Sequence, residues 1–298
     1  MAAQRPAMPS RARASAQTRD VPGKLLDEAA ALRGAGNFEG ALDGYRASLQ
    51  AHPRFYAAQL GLADTYALMG DQPRARQEYA MAMRLARNET ERLAAAMQSA
   101  ITHLREKNFD AADTAFHVVA DRAHGRGLAR LEAQAYRLMA VYQIGHATAL
   151  RYLDKAETAL LAGRVALSER DQELARILRV RAIKAQADGR QELAAKSLWR
   201  LERMAGANAD EVIQRSYHAA AGALLMQDDK FVEAVPHLEQ DIGDPGSMVR
   251  LVQAYERNGD MKAADALRAR LAELNEPTIE QAIVVPVVRA AMAQPKTE

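Results

Sequence analysis

Two arginines, Arg176 and Arg179, lie three residues apart in a segment whose apolar residues recur at helical spacing. Residues three apart share one face of a helix, and guanidinium groups favour carboxylates because they bind them in a fork. The pair is therefore predicted to bind an acidic side chain or a chain terminus. In the competing interpretation, Asp171, Glu173 and neighbouring acids already neutralise both arginines.

Residue patterns for metal, cofactor or catalytic chemistry are missing. The chain has no cysteine, and no two of its seven histidines are four residues apart, as metal-binding pairs on a helix usually are. Those histidines are His52, His103, His117, His124, His146, His218 and His237. Gly34, Gly36 and Gly40 come near a dinucleotide-binding fingerprint, but their spacing is one residue too long and a helical pattern precedes them. We therefore expect no metal site, no cofactor and no enzymatic activity.

The charge of the 298-residue chain is balanced, with 40 basic and 38 acidic residues, or +2. Residues 1–20 carry four arginines and one aspartate, or +3, which leaves 2 − 3 = −1 for the rest. A nucleic-acid partner is not expected for such a body. No apolar run approaches the roughly 18 residues that a membrane span needs, so membrane insertion is not expected either.

The N-terminal residues 1–21 mix Pro, Ser, Ala and Arg without apolar periodicity, which predicts a disordered basic arm. Ala14, Ser15 and Ala16 resemble a signal-peptidase site, but no apolar stretch precedes them. The cytoplasm is therefore favoured, and export or a periplasmic location is expected only if a leader is missing from this sequence.

Residues 22–274 read as helix after helix, interrupted by a recurring turn motif. Each motif has a turn residue, a small residue four or five places later and usually a bulky residue four places further on. The small residues are Ala41, Ala75, Ala112, Ala194, Ala234 and Ala264. Their spacings are 34, 37, 82, 40 and 30, and the long interval must hide one more pair of helices. Seven helical hairpins are therefore predicted, packed closely where alanine faces a neighbouring helix.

The second unit resembles the tetratricopeptide repeat (TPR) family over its full 34-residue length. It has Leu62 and Ala63 in the first helix, Gly70 at the turn, and Ala75 and Tyr79 in the second helix. The first unit is similar, whereas the fourth, about residues 127–163, satisfies no single register. The resemblance implies an all-α, right-handed superhelical solenoid of about seven TPR-like hairpins.

In TPR proteins the first helix of each hairpin lines a concave groove that binds a protein or peptide. The matching positions here, with Met139 in poor register, are Leu26, Ala30, Leu60, Asp64, Met97, Ile101, Met139, Arg176 and Arg179. The family's clamp for chaperone tails needs Lys, Asn and Arg at the early positions, which are apolar here. The resemblance therefore implies an apolar partner segment with an acidic end. An equally open interpretation is that these residues only pack a tightly wound superhelix.

The C-terminal residues 275–298 depart from the repeat. Asn275 is the expected N-cap of a short apolar helix with Pro277 in its first turn, and Pro286 should break or kink that helix. This segment is predicted to cap the last hairpin, because terminal repeats must cover an apolar face. The alternative is a docking element for another molecule.

Two classes of function follow. The first is a non-catalytic scaffold or adaptor that holds a protein or peptide partner, and the second is a regulatory sensor whose groove binds a small effector or signal peptide. The sequence leaves the partner's identity and homo-oligomerisation open.

Overall fold

The computed structural model describes residues 11–293, with side chains from residue 23 onward. Over this range the chain forms only helices, turns and short connections, without any strand. The helices are α1 (Arg11–Gly34), α2 (Phe38–Ala51), α3 (Tyr56–Met69), α4 (Gln72–Leu85), α5 (Glu89–Arg105), α6 (Phe109–Gly125), α7 (Ala129–Tyr142), α8 (His146–Ala162), α9 (Leu167–Ala187), α10 (Gln191–Ala207), α11 (Glu211–Gln227), α12 (Phe231–Leu238), α13 (Pro245–Arg257), α14 (Met261–Glu273), α15 (Ile279–Ile283) and α16 (Val285–Ala293).

Helices α1 to α14 pack in chain order, each against the next. The odd-numbered helices also contact one another from hairpin to hairpin, as in α7 with α9 and α9 with α11. The chain is therefore an all-α helical solenoid, as the sequence predicts. We call the side lined by the odd-numbered helices the inner face. The number of repeats that follow the family pattern and the handedness of the superhelix stay predictions.

In the recurring turn motif, a residue in the left-handed backbone conformation is followed by the residue that caps the next helix. Gly36 and Gly70 have φ of 78° and 94°, which ends the preceding helix without the steric cost that a Cβ brings. The next residue, Asn37 or Asp71, accepts a hydrogen bond from a backbone N–H in the first turn of the following helix. Where the sequence has Lys107 in place of the glycine, Lys107 adopts the same conformation, with φ 58°.

The small residues of the motif lie where helices meet. All six alanines named above are 0% exposed. Gly61 of α3 allows an even closer approach, since a Cβ there would stand 2.4 Å from the ring of Tyr45 in α2. Small side chains thus set the spacing between helices, as the alanine-rich composition suggests.

The two ends of the chain differ from expectation. The structure extends α1 back to Arg11, where the sequence predicts a disordered arm, and residues 1–10 lie outside the described range. At the other end Thr278, and not Asn275, caps α15, because its Oγ1 accepts the Gln281 N–H at 3.0 Å. The helix is interrupted between Ile283 and Val285, next to Pro286. The division of the chain into residues 1–21, 22–274 and 275–298 stays a prediction.

Candidate functional site

The C-terminal segment lies on the inner face of the solenoid. Helix α15 packs against α5, α7 and α13, which are all first helices of their hairpins. Ile279 and Ala282, 2% and 4% exposed, belong to the same apolar cluster as Met97 and Ile101 of α5. The chain therefore covers part of its own predicted groove.

Polar contacts hold this segment in place. Arg289 donates to the backbone oxygens of Ala272 and Leu274 at 2.7 and 3.0 Å and to Asn275 Oδ1 at 3.0 Å. Gln281 also donates to the Leu274 oxygen, at 2.6 Å. These bonds fold residues 275–289 back on the end of α14, so that α15 projects toward α5.

Helix α16 covers the last hairpin, as a capping segment should. It packs on α14, where Val285 is fully buried with Met248 and Leu271. The segment therefore packs both on the last hairpin and on the inner face of its own chain, and its role as a cap or as a docking element stays a prediction.

The predicted groove residues have unequal surroundings. Leu26, Ala30 and Leu60 are half-buried, and Leu26 and Leu60 pack against the apolar cluster of the first hairpins. Met97 and Ile101 are buried under α15, and Met139 is 0% exposed within the same cluster. The inner face is thus not the exposed apolar surface that a vacant groove would present.

Asp64 belongs to a buried network that joins four helices, α1 to α4. Its Oδ1 accepts a hydrogen bond from the Tyr79 hydroxyl at 2.7 Å, and its Oδ2 accepts one from Arg33 at 3.2 Å. Arg33 also donates to the Tyr45 hydroxyl, at 3.3 Å. Burial raises the pKa of Asp64 to about 6, although Tyr79 and Arg33 favour its charged form. These bonds tie α1, α2, α3 and α4 together and leave Asp64 little freedom to bind a partner.

Arg176 shares a carboxylate with Arg137. Glu173, which is 1% exposed, accepts from Arg137 Nε at 2.6 Å and from Arg176 Nη1 at 3.4 Å. Burial, reinforced by Arg137, lowers the pKa of Arg176. One of the two predicted carboxylate-binding arginines is therefore already paired inside the chain.

Arg179 is paired more completely. Its Nη2 lies 2.8 Å from Asp244 Oδ1 and 3.1 Å from Asp241 Oδ2, and it donates to the Ser247 hydroxyl at 3.3 Å. These contacts join α9 to the start of α13. The geometry supports the interpretation in which acids neutralise the arginine pair, with Asp241 and Asp244 taking the place expected for Asp171.

A cavity of about 730 Å³ adjoins α15 on the inner face. Its walls come from α5, α7, α9, α11, α13 and the segment 277–284. Lys184 and Arg250, which the sequence analysis did not single out, both line it. Neither residue occupies a repeated motif position, so only the superhelical path of the chain brings them together.

Two kinds of feature are absent from the described part of the chain, a metal-binding cluster and a membrane-spanning helix. Among residues with described side chains, no group of three or more His, Asp or Glu residues is arranged to hold a metal ion. Within the described part of the chain, no helix combines the length and apolarity required to cross a membrane.

The chain is similar in part to known proteins. A search among curated proteins finds no match. Among solved structures, the chain is similar to a tetratricopeptide repeat protein from Parabacteroides merdae, at 11% identity over 90% of this chain and 99% of that one, with a TM-score of 0.46. It is also similar to a chain of the APC/C hetero-tetramer Cut9-Hcn1, at 13% identity over 85% of this chain and 43% of that one, with a TM-score of 0.47. Residues 32–100 match the model of the tetratricopeptide repeat family.

Proposed function

We propose that the protein is a non-catalytic scaffold or adaptor that binds an apolar helical segment of a protein partner on its inner face. The observation that carries this proposal is the position of α15, a short apolar helix lying on α5 and α7. A surface that accepts one such helix from its own chain has the shape and polarity to accept another.

The chemistry of α15 specifies what the partner should resemble. It buries Ile279 and Ala282, and Thr278 caps its first turn. A competing segment should therefore present two small or branched apolar side chains on one helical face after an N-capping residue. Leu26 and Leu60, which are only half-buried, pack on a separate apolar cluster in the first hairpins.

The experiment releases α15 from the inner face and then adds the native segment as a separate peptide. The double change Ile279→Asp and Ala282→Asp should release α15, because two buried carboxylates would be desolvated. A labelled peptide of residues 275–293 should then bind the variant with saturable fluorescence anisotropy. The unaltered chain should bind much less, since its own segment competes at a high effective concentration.

The matched control is Val287→Asp, which alters a side chain that is 66% exposed and should leave the groove covered. A peptide carrying both aspartates should not bind the opened variant. If the opened variant keeps its helical circular dichroism and the native peptide still does not bind, the proposed groove is wrong.

A regulatory sensor is the second candidate. The cavity beside α15 favours it, because about 730 Å³ is within the range of small-molecule sites. In this second candidate function, the ligand that the cavity binds is a small effector and not a protein segment.

A further inference from the structure

The cavity beside α15 combines an apolar wall with a strongly basic one. Val180 and Ile183 of α9, Leu138 of α7, Val212 of α11 and Ile283 of α15 supply the apolar surface. Its edge reaches solvent at Arg215, whose side chain is 50% exposed. A ligand with an apolar body and a charged end fits such a site.

Positive charges outnumber negative ones among the lining residues. The basic residues are Arg137, Arg176, Arg179, Lys184, Arg215 and Arg250, and the acidic residues are Asp241, Asp244 and Glu280. The difference is 6 − 3 = +3. Two further acids pair with lining arginines, the buried Glu173 with Arg137 and Arg176 and Glu211 with Arg215, and including them gives 3 − 2 = +1. The cavity as a whole therefore attracts anions.

Two of these cations have no carboxylate of their own. Lys184 Nζ donates to the Gln143 backbone oxygen at 2.7 Å, and Arg250 Nη1 donates to the Gly246 oxygen at 2.9 Å. Among the side chains described here, no carboxylate lies within 4.0 Å of either group. Both groups are partly buried.

Two of the three acidic lining residues are already engaged, and burial raises the pKa of the third, Glu280, which disfavours its charged form. Asp241 and Asp244 both pair with Arg179, and Asp244 also caps α13 by accepting the Ser247 N–H at 2.9 Å. Burial, with Arg250 nearby, lowers the pKa of Lys184. Lys184 and Arg250 line the same cavity, and an anion bound there would offset both of their charges.

We propose that this cavity binds a small organic phosphate monoester with an apolar body, whose phosphate is held by Lys184 and Arg250. A phosphate monoester carries about −1.5 to −2 charges at neutral pH, which matches two cations that lack a salt bridge better than the single charge of a carboxylate does. The apolar body would lie along Val180 and Ile183. This inference does not depend on the docking of a peptide at α15.

The probe is 1-naphthyl phosphate, titrated into the full-length chain by calorimetry at low ionic strength. We expect one molecule to bind per chain, with an affinity that falls as salt is added. 1-Naphthol, which lacks the charge, and inorganic phosphate, which lacks the apolar body, should each bind much more weakly. 1-Naphthoate should be intermediate.

Lys184→Gln and Arg250→Gln should each weaken binding of 1-naphthyl phosphate about tenfold, because each removes a charged hydrogen-bond donor. Neither change leaves an acid unpaired, so thermal stability should be preserved. Lys262→Gln is the matched control: Lys262 is exposed and lies outside the cavity, and its loss should not change the affinity.

A readout on the unaltered chain covers the case in which a variant fails to fold. Acetylation of lysines followed by mass spectrometry should show that 1-naphthyl phosphate protects Lys184 but not Lys262. Equal affinity of the native chain and both variants, binding of several molecules per chain, or equal affinity for 1-naphthol would overturn the proposal. These outcomes are independent of whether the peptide of residues 275–293 binds the opened groove.

Discussion

Asn275 lies against Gly36, so the C-terminal segment touches the turn of the first hairpin. A Cβ added at Gly36 would stand 3.2 Å from Asn275 Nδ2, although 275 − 36 = 239 residues separate the two positions in the chain. The solenoid therefore winds far enough for its last described segment to meet its first turn.

This contact can be measured with two glycine substitutions. Gly36→Ala and Gly70→Ala both place a Cβ on a left-handed residue, at about 1–2 kcal/mol each, but nothing lies within 4 Å of the added atom at Gly70. We expect Gly36→Ala to lower the free energy of unfolding, measured by chemical denaturation, more than Gly70→Ala does. In a double-mutant cycle, Asn275→Ala should remove that excess. Equal costs at the two glycines, with no coupling to Asn275, would contradict the contact.

The close approach of α2 and α3 depends on Gly61. Gly61→Ala should destabilise the chain by about 1–3 kcal/mol, because the new Cβ would overlap the Tyr45 ring. Gly206→Ala, inside α10 with nothing within 4 Å, should stabilise it by up to about 1 kcal/mol through helix propensity. Urea denaturation measures the free energy of unfolding of both variants. If Gly206→Ala lowers it as much as Gly61→Ala does, the contact with Tyr45 is not the cause.

Glu173 should be the most sensitive of the inner-face acids. Glu173→Ala leaves Arg137 and Arg176 without their shared carboxylate, and breaking a buried pair in this way costs about 3–5 kcal/mol. The exposed pair of Lys24 and Glu28 is the control, and Glu28→Ala should cost about 0.5 kcal/mol or less. Denaturant melts should separate the two variants clearly; similar losses would mean that the Glu173 pair contributes no more than a surface pair does.

His218 and His237 form a pH-sensitive contact. Their Nδ1 atoms are 3.1 Å apart, so one ring must donate and the other must accept. Burial lowers both pKa values, and His237 lowers that of His218 further. The unfolded chain therefore binds more protons at these two residues than the folded chain does. Their contribution to the free energy of unfolding should be fully present above pH about 6.5 and should be lost as the pH falls below it.

The measurement is the melting temperature between pH 5 and 8. His237→Gln should flatten the decline below pH about 6.5, whereas His52→Gln, at an exposed position, should not. An unchanged pH profile in His237→Gln would show that other groups cause the decline.

The local parts of the fold could be predicted from the sequence because their causes are local. Gly70 followed by Asp71 is at once a helix end and a helix cap, and Ala75 marks the contact that follows. Lys107 shows the limit of this reasoning, since it fills a glycine position in the same left-handed conformation without any signal in its residue type.

The site could be predicted only in part. Residues 275–289 have no repeat equivalent, and their docking on α5 depends on how far the whole solenoid winds. Likewise, the sequence shows that Arg179 and Arg250 are basic but not that Asp241 and Asp244 lie beside Arg179. Contacts between distant hairpins carry no periodic pattern, so the structure was needed to find them.

The docking of α15 also bears on how the protein is made. Each hairpin is built from contacts between neighbours in sequence, so hairpins can form early, whereas α15 meets α5 only after a very long loop has closed. During synthesis α5 is finished well before Ile279 is added, because chains grow at about 5–20 residues per second. Throughout that interval the apolar surface around Met97 has no covering helix, and a nascent chain in this state exposes apolar side chains that α15 covers in the finished fold.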